Sequence, residues 1–259
     1  MKLEGKVAIV TGGGGGIGRA IALRYAREGA AVVVAGPTED KIRSVEKEIL
    51  DSGGRVQAVR TDVAEEQDVE RMVAFALSGF SQIDILVNNA GIAGPTALVP
   101  NVSREDWDRT LAVNLTGAFL CAKHVLPHLI ERRSGCIINI TSIAGLQAYA
   151  YRSPYCASKW GMIGLTQTLA QESGQYGITV NAIAPGPVAG PRIERVIRNR
   201  AEEMKLPYEE VVRQYVEPTA LKRMVEEEDI AAMAVFLASD EGGNITGETL
   251  NISSGYRLS

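Results

Sequence analysis

A tyrosine and a lysine in the segment YCASK have the types and the spacing that acid–base chemistry requires. Tyr155 and Lys159 are four positions apart, so on a helix their side chains share one face, with Cβ atoms about 5–6 Å apart. A phenol has a pKa of about 10 and is a poor base at neutral pH, but a neighbouring ammonium favours the phenolate and lowers that pKa. The spacing is therefore typical of a site in which a tyrosine takes up and releases a proton.

Two further polar residues fit such a site. Ser142 follows the apolar segment CIINI, and a hydroxyl at the carboxyl end of a buried strand can bind a reacting oxygen and orient it toward Tyr155. Asn114 lies in VNLTG, between two expected helices. Each residue alone has an ordinary structural interpretation, as a turn residue or a polar residue that bends a helix, and only their combination favours catalysis.

A run of glycines separates the first apolar segment from the first helical pattern, with TGGGGGIG at residues 11–18. Backbone N–H groups at a helix start lack intrahelical partners and carry the positive end of the helix dipole, so a phosphate binds there when no Cβ keeps it away. A P-loop requires Lys and Ser/Thr after its last glycine, but Arg19 and Ala20 follow Gly18. The sequence therefore predicts a dinucleotide pyrophosphate site.

Short apolar segments alternate with amphipathic helical patterns along the chain. The expected strands are 6–10, 30–35, 55–60, 83–87, 136–140, 178–183 and 248–252, and the expected helices are 19–28, 38–50, 65–80, 104–111, 116–132, 153–176 and 228–238. Apolar runs separated by helices favour a parallel sheet with helices on both faces. We predict an α/β fold, a three-layer doubly wound parallel sheet of the Rossmann type, formed by one domain over residues 1–259. Residues 186–227 contain helical patterns but no strand, and we expect them to form a substrate-binding lid within that domain.

Composition and charge narrow the class of partner. The chain has 259 residues, 46% of them hydrophobic, and a net charge of −4, which does not favour nucleic acid or an anionic membrane as a partner. We found no apolar run long enough to span a membrane and no signal-peptide pattern. Three cysteines without metal-ligand spacing are too few for a disulfide framework. We therefore expect a soluble cytoplasmic protein. His124 and His128 are the only histidines and no acidic third ligand stands near them in the sequence, so we expect no metal.

Seven motifs in one order resemble those of the short-chain dehydrogenase/reductase family. They are TGGGGGIG at 11–18, Asp62-Val63, NNAG at 88–91, Asn114, Ser142, Tyr155-x-x-x-Lys159 and Pro185-Gly186. The resemblance covers essentially the whole chain and is weakest across 190–225. It implies an NAD(P)-dependent oxidoreductase acting on CH–OH donors (EC 1.1.1.-), which interconverts a secondary alcohol and a carbonyl, usually as a homotetramer.

The resemblance also implies roles for individual residues. Asn114, Ser142, Tyr155 and Lys159 would be catalytic, with Lys159 also holding the nicotinamide ribose and Asn114 keeping a water in the proton relay. Asp62 would meet the adenine amino group. The implied cofactor-binding residues are Gly12, Gly14, Gly15, Gly16, Ile17, Gly18, Asp62, Val63, Asn89, Ala90, Gly91, Tyr155, Lys159, Pro185, Gly186 and Val188.

The residues after the second expected strand bear on the choice between NAD and NADP. An acidic residue there would bind the ribose 2′-hydroxyl, and an arginine would accept the 2′-phosphate. The sequence has Gly36, Pro37 and Thr38 instead, and Gly15 stands where NADP-binding members of the family often carry a basic residue. We expect NAD, with NADP as the alternative if Arg19 or Lys41 reaches the phosphate.

Arginines near Tyr155 and in the expected lid suggest a hypothesis about the substrate. Arg152 or Arg192 could bind an anionic group, such as a carboxylate or a sulfonate, through a bidentate fork. The interpretation we favour from sequence alone is a solvated amphipathic helix in which Glu194 pairs with Arg198.

Two other functions use the same residues. One is a non-catalytic NAD(P)-binding sensor or scaffold, which would not need the four catalytic residues. The other is an NAD-dependent epimerase or dehydratase, which generally needs a longer C-terminal substrate domain than this chain provides.

Overall fold

The computed structural model of the protein describes residues 1–256 and contains a single parallel sheet. Its seven strands are β1 (Val7–Thr11), β2 (Ala31–Gly36), β3 (Arg55–Arg60), β4 (Ile85–Asn88), β5 (Gly135–Ile140), β6 (Ile178–Pro185) and β7 (Thr249–Ile252). They lie in the order β3-β2-β1-β4-β5-β6-β7, and every neighbouring pair is parallel. The strand order reverses between β1 and β4, which is where ligands bind in open α/β sheets.

Helices cover both faces of this sheet. They are α1 (Gly16–Arg27), α2 (Glu39–Asp51), α3 (Glu66–Phe80), α4 (Arg104–Leu111), α5 (Gly117–Arg132), α6 (Ser153–Ser173), α7 (Pro191–Met204), α8 (Tyr208–Val216) and α9 (Glu227–Ala238). One apolar core contains residues of α1, α2 and α9, and the other contains residues of α3, α5 and α6. Successive strand residues alternate between the two cores, as Ala8 and Ile9 do. The predicted three-layer doubly wound fold is confirmed.

The expected helix at 116–132 differs from the structure at its start. A π-helical turn, Ala112–Thr116, joins α4 to α5 without an intervening loop, and it contains Asn114. The expected helix at 153–176 ends at Ser173 and continues as a single 3₁₀ turn, Gly174–Tyr176. Asn114 therefore lies in a π-helical turn rather than between two separate helices, and such turns are frequent at functional sites.

Residues 186–227 contain two helices, α7 and α8, as expected from their pattern. The helices bury Ile197, Ala201 and Val211 in a small apolar cluster of their own. A bridge between Val188 and Val225 joins the two ends of the segment. Its function as a lid, and the assignment of the whole chain to one domain, stay predictions.

The length and apolar character of each helix decide whether it could cross a membrane. Within residues 1–256, no helix combines the length and the apolar character needed to cross a membrane.

Candidate active site

A cavity of about 590 Å³ opens at the carboxyl ends of β1, β4, β5 and β6. It is bounded by the glycine run on one side and by α6 and α7 on the other. Most of the predicted site residues line it, namely Gly12, Gly14, Gly15, Gly16, Ile17, Asn89, Ala90, Gly91, Ser142, Arg152, Tyr155, Lys159, Pro185, Gly186, Val188 and Arg192. The fold thus brings together motifs that are widely separated in the sequence.

The glycine run forms the turn from β1 into α1. Different contacts explain why glycine is needed at some of its positions and not at others. A Cβ on Gly18 would lie 2.3 Å from the carbonyl oxygen of Gly12, and a Cβ on Gly12, at φ +64°, would lie 2.9 Å from the Cα of Ala90. Gly18 itself is not among the residues that line the cavity. Gly15 is extended and has no other heavy atom within 4 Å of its Cβ position.

This turn fits the diphosphate of a dinucleotide. Gly15 is the N-cap of α1, and no side chain in the described part of the chain caps the helix start. The N–H groups there lie behind glycines, so an anion can reach the positive end of the helix dipole. The residues present therefore agree with a dinucleotide cofactor.

Tyr155 and Lys159 lie on one face of α6, as their spacing predicts. The Lys159 Nζ atom is 5.8 Å from the centre of the Tyr155 ring and donates a hydrogen bond of 2.8 Å to the carbonyl oxygen of Ile140. Lys159 is only 3% exposed, and burial lowers its pKa to about 8. The Ser142 hydroxyl lies near enough to Tyr155 to lower the pKa of its phenol. The three candidate catalytic side chains are therefore in mutual reach.

The electrostatic surroundings of Tyr155 favour the phenolate. Burial alone would raise the pKa of its hydroxyl, because the charged form loses solvation. The Lys159 ammonium opposes this most strongly, and the guanidinium groups of Arg192 and Arg152 add to its effect. Together with the Ser142 hydroxyl, these charges hold the pKa of Tyr155 below its ordinary value. The side chain is therefore better suited to exchange a proton than an ordinary tyrosine.

Asn114 is fully buried behind Gly91 and does not line the cavity. Its amide oxygen accepts a hydrogen bond of 2.8 Å from the N–H of Ile92. Its amide nitrogen donates to the carbonyl oxygen of Ile92 and to the hydroxyl of Ser158. The side chain is thus committed to fixing the turn after β4 against α6, and its role in a proton relay stays a prediction.

Asp62 and Val63 lie outside the walls of the cavity, and Asp62 has a partner that the sequence did not reveal. Its carboxylate accepts hydrogen bonds from Arg109, at 2.9 Å, and from the N–H of Ala64. Partial burial opposes ionisation, but Arg109 and the Ala64 N–H outweigh it and hold the pKa of Asp62 below its usual value. Binding of an adenine amino group by Asp62 stays a prediction, and this ion pair would have to accommodate it.

Glu227 is a cavity residue that sequence reasoning missed. It is the first residue of α9, and its Oε1 atom lies 3.6 Å and 3.5 Å from the Cβ positions of Gly16 and Gly190. A carboxylate thus lies between the glycine run and the start of α7. Burial raises its pKa, and neighbouring glutamates add to the effect while Arg19 opposes it. In the sequence, the acidic residues 226–229 were the available signal for a carboxylate in the cavity. The same pattern is typical of an ordinary helix N-terminus, so it did not indicate this role.

His124 has acidic neighbours that its sequence position concealed. Its Nε2 atom is 3.0 Å from Glu66 and 3.8 Å from Glu70, both on α3. Glu66 also binds the Lys123 ammonium at 2.6 Å. Glu66 and Glu70 are exposed, His124 is partly buried, and the Lys123 ammonium pairs with the Glu66 carboxylate, so the expectation of no metal stays a prediction.

The fold and the matched residues define the class of this protein. Residues 6–201 match the family described as short chain dehydrogenase, and the chain belongs to that family. One relative is the 3-oxoacyl-[acyl-carrier-protein] reductase FabG of Staphylococcus epidermidis, 39% identical over 255 residues that cover 98% of this chain and 99% of the relative.

Solved structures of the same family agree with this assignment. An NAD⁺-bound xylitol dehydrogenase has a TM-score of 0.96 and 33% identity, covering 98% of this chain and 100% of its own. A variant of actinorhodin polyketide ketoreductase with NADPH has a TM-score of 0.93 and 34% identity, covering 97% of both chains. The family resemblance found in the sequence is confirmed.

Proposed function

We propose that this protein is an NAD(P)-dependent oxidoreductase that interconverts a secondary alcohol and a carbonyl compound. The observation that carries the proposal is the phenol of Tyr155, which lines the same cavity as the glycine run and lies next to Ser142 and Lys159. The solved neighbours contain NAD⁺ in one case and NADPH in the other, which supports a nicotinamide cofactor. All four candidate catalytic residues are present, and a non-catalytic sensor would not need them, which argues against that alternative.

The chain's own residues supply the proton chemistry. When bound, the nicotinamide supplies the acceptor for the hydride that leaves the carbinol carbon. The Tyr155 phenolate takes the hydroxyl proton, so that the alcohol loses one hydride and one proton and becomes a carbonyl. Ser142 binds the reacting oxygen, and Lys159 stabilises the phenolate. In the reverse direction Tyr155 returns the proton to the oxygen.

A substrate screen tests the proposal. NAD⁺ and NADP⁺ reduction is followed by absorbance with polyols, hydroxy acids and hydroxysulfonates, and NADH and NADPH oxidation with the matching carbonyl compounds. We expect turnover with at least one secondary alcohol or ketone. Tight dinucleotide binding without turnover across both panels would favour the sensor or scaffold instead.

We further propose NAD as the preferred cofactor. Arg19 is held by Glu48, with both carboxylate oxygens 2.7 Å from its Nη2 atom, so it is not free to bind a 2′-phosphate. Among the described residues that line the cavity, Lys41 is the cation near the end of β2, whereas Arg60, the neighbour of Gly36 in the sheet, does not line it. We expect kcat/KM for NAD⁺ to exceed that for NADP⁺ by about tenfold or more, because no arginine fork receives the extra phosphate.

The variant Lys41→Met should affect activity with the two cofactors differently. It should leave the NAD⁺ values unchanged and reduce the remaining NADP⁺ activity. A wild-type preference for NADP⁺ that disappears in Lys41→Met would contradict the assignment and identify Lys41 as the phosphate ligand.

Glu227→Gln should strengthen cofactor binding. The Glu227 carboxylate lies next to the proposed diphosphate site, and removing its charge should lower the Kd for NAD(H) by about threefold to tenfold. Wild-type affinity should improve as the pH falls, because protonation neutralises this carboxylate, and the dependence should weaken in the variant. Titration calorimetry across pH checks both results, with Glu228→Gln as the control on the same helix.

The cytoplasmic location and the homotetramer also belong to the proposal. Phe119 on α5 and Trp160 on α6 are 48% and 52% exposed, and large exposed apolar side chains on neighbouring helices support contact with further copies of the chain.

A further inference from the structure

Arg152 is a buried cation without a counter-ion. It immediately precedes α6, is 8% exposed, and lines the cavity with its Cζ atom 4.8 Å from the centre of the Tyr155 ring. Its Nη2 atom donates one hydrogen bond of 3.0 Å to the carbonyl oxygen of Ala93. Its Nε atom is buried without a partner, and none of the ion pairs in residues 1–256 includes this guanidinium.

A guanidinium removed from water normally has a carboxylate or several hydrogen bonds to offset the lost solvation. Arg152 uses one of its five N–H donors within the described chain. Because the side chain forms part of a cavity wall, the missing anion can come from a bound molecule. The stacked ring of Tyr155 places such an anion close to the reacting oxygen.

Arg192 provides a second cation in the wall of the same cavity. It lies in the first turn of α7, and its Nη1 atom donates a hydrogen bond of 3.0 Å to the carbonyl oxygen of Gly91. Its charge acts on both Tyr155 and Lys159, so it lies near the same reaction centre. Glu227 is the acidic residue in the wall within the described chain, and it lies by Gly16, at the glycine run.

We propose that Arg152 and Arg192 form an anion subsite, which binds a carboxylate or sulfonate a few bonds from the reacting carbon of the substrate. The proposal rests on the proposed function, and it names the substrate class as small hydroxy acids and oxo acids. The interpretation favoured from sequence, a solvated amphipathic helix, describes α7, which buries Val196 and Ile197 and exposes Arg192, whereas Arg152 lies outside that helix and is buried. The Glu194–Arg198 pair, which that interpretation required, is not formed in the described structure.

The test compares anionic carbonyl compounds with neutral counterparts of the same skeleton. Acetoacetate is paired with methyl acetoacetate, and acetonylsulfonate with methylsulfonylacetone, in the presence of the reduced cofactor. In the wild type we expect the anions to have the higher kcat/KM. Arg152→Met should lower kcat/KM for the anions by about thirtyfold or more, mainly through KM, because a desolvated charge pair is lost. The neutral probes should change by no more than about fivefold.

Arg198→Met is the matched control on α7. The Arg198 guanidinium lies 5.5 Å from the Tyr208 ring and outside this cavity, so both probe classes should keep their wild-type values. Arg192→Met should resemble Arg152→Met, with a smaller loss because the Arg192 side chain is more exposed. Equal losses on anionic and neutral probes in Arg152→Met would overturn the subsite and leave Arg152 acting only on the charge of Tyr155. A wild type without preference for the anions would also overturn it.

A binding measurement separates this proposal from the proposed function. Malonate and dimethyl malonate are titrated into the cofactor complex of the wild type and of Arg152→Met. Malonate binding that needs Arg152, without turnover of any alcohol or ketone, would support the subsite and contradict the oxidoreductase. Turnover of neutral ketones together with no malonate binding would support the oxidoreductase and overturn the subsite.

Discussion

Replacing Tyr155 with phenylalanine is expected to lower kcat by about 10² to 10⁴ in both directions, because it removes the group that exchanges the proton. The ring remains to stack beneath Arg152 and to fill its place in α6. The Kd for NAD(H) should therefore change little. Steady-state absorbance assays with any accepted alcohol, together with cofactor titration by fluorescence, measure the two effects separately.

Tyr149→Phe is the control for this variant. Tyr149 also lines the cavity, but its hydroxyl is bonded to Gln147 at 2.8 Å, and burial raises its pKa well above the ordinary value. We expect it to keep kcat within about fivefold of the wild type, since it lacks an adjacent ammonium. In the wild type, alcohol oxidation should rise with pH as Tyr155 loses its proton, at a pKa below its ordinary value. Wild-type turnover in Tyr155→Phe would remove Tyr155 from the mechanism.

Gly18→Ala is expected to have the largest structural effect of a single methyl group at the site. The new Cβ would lie 2.3 Å from the Gly12 carbonyl oxygen and 2.4 Å from the Asn89 Nδ2 atom, so the backbone of the turn must move. The movement would also strain the hydrogen bonds that Asn89 donates to Thr11 and Gly12. We expect the free energy of unfolding to fall by about 3 kcal/mol, as in overpacked cores, and cofactor binding to be lost.

Gly15→Ala gives the matched comparison within the same run of glycines. Gly15 has an extended backbone, with φ −176°, and open space at its Cβ position. Urea unfolding without cofactor should therefore give the wild-type free energy for Gly15→Ala and a clear loss for Gly18→Ala. Equal stability of the two variants would show that the turn tolerates a Cβ at Gly18, against the observed packing.

Local patterns predicted the strands and helices well, because the spacing of apolar residues that indicates each element lies within one short stretch of sequence. The burial of every residue of β1, for instance, follows from its apolar residues, which alternate between the two cores. The Tyr155 and Lys159 pair was readable for the same reason, since both lie within one helical turn.

The features that sequence reasoning missed depend on contacts between distant segments. Arg109 reaches Asp62 across 47 positions, and Glu66 reaches His124 across 58. The burial of Arg152 depends on Ala93 and on the ring of Tyr155, neither of which a single stretch of sequence reveals. The position of Glu227 requires α9 to lie against α1, a contact that only the complete layer creates.

The small apolar cluster of α7 and α8 has a consequence for how such a protein can change over generations. Ile197, Ala201 and Val211 bury one another rather than joining the two cores that hold the sheet. Mutations in these helices can therefore accumulate with little effect on the free energy of the sheet. The shape of the substrate cavity can therefore change between related proteins. Tyr155 and Lys159, which would exchange the proton, remain on α6, outside these two helices.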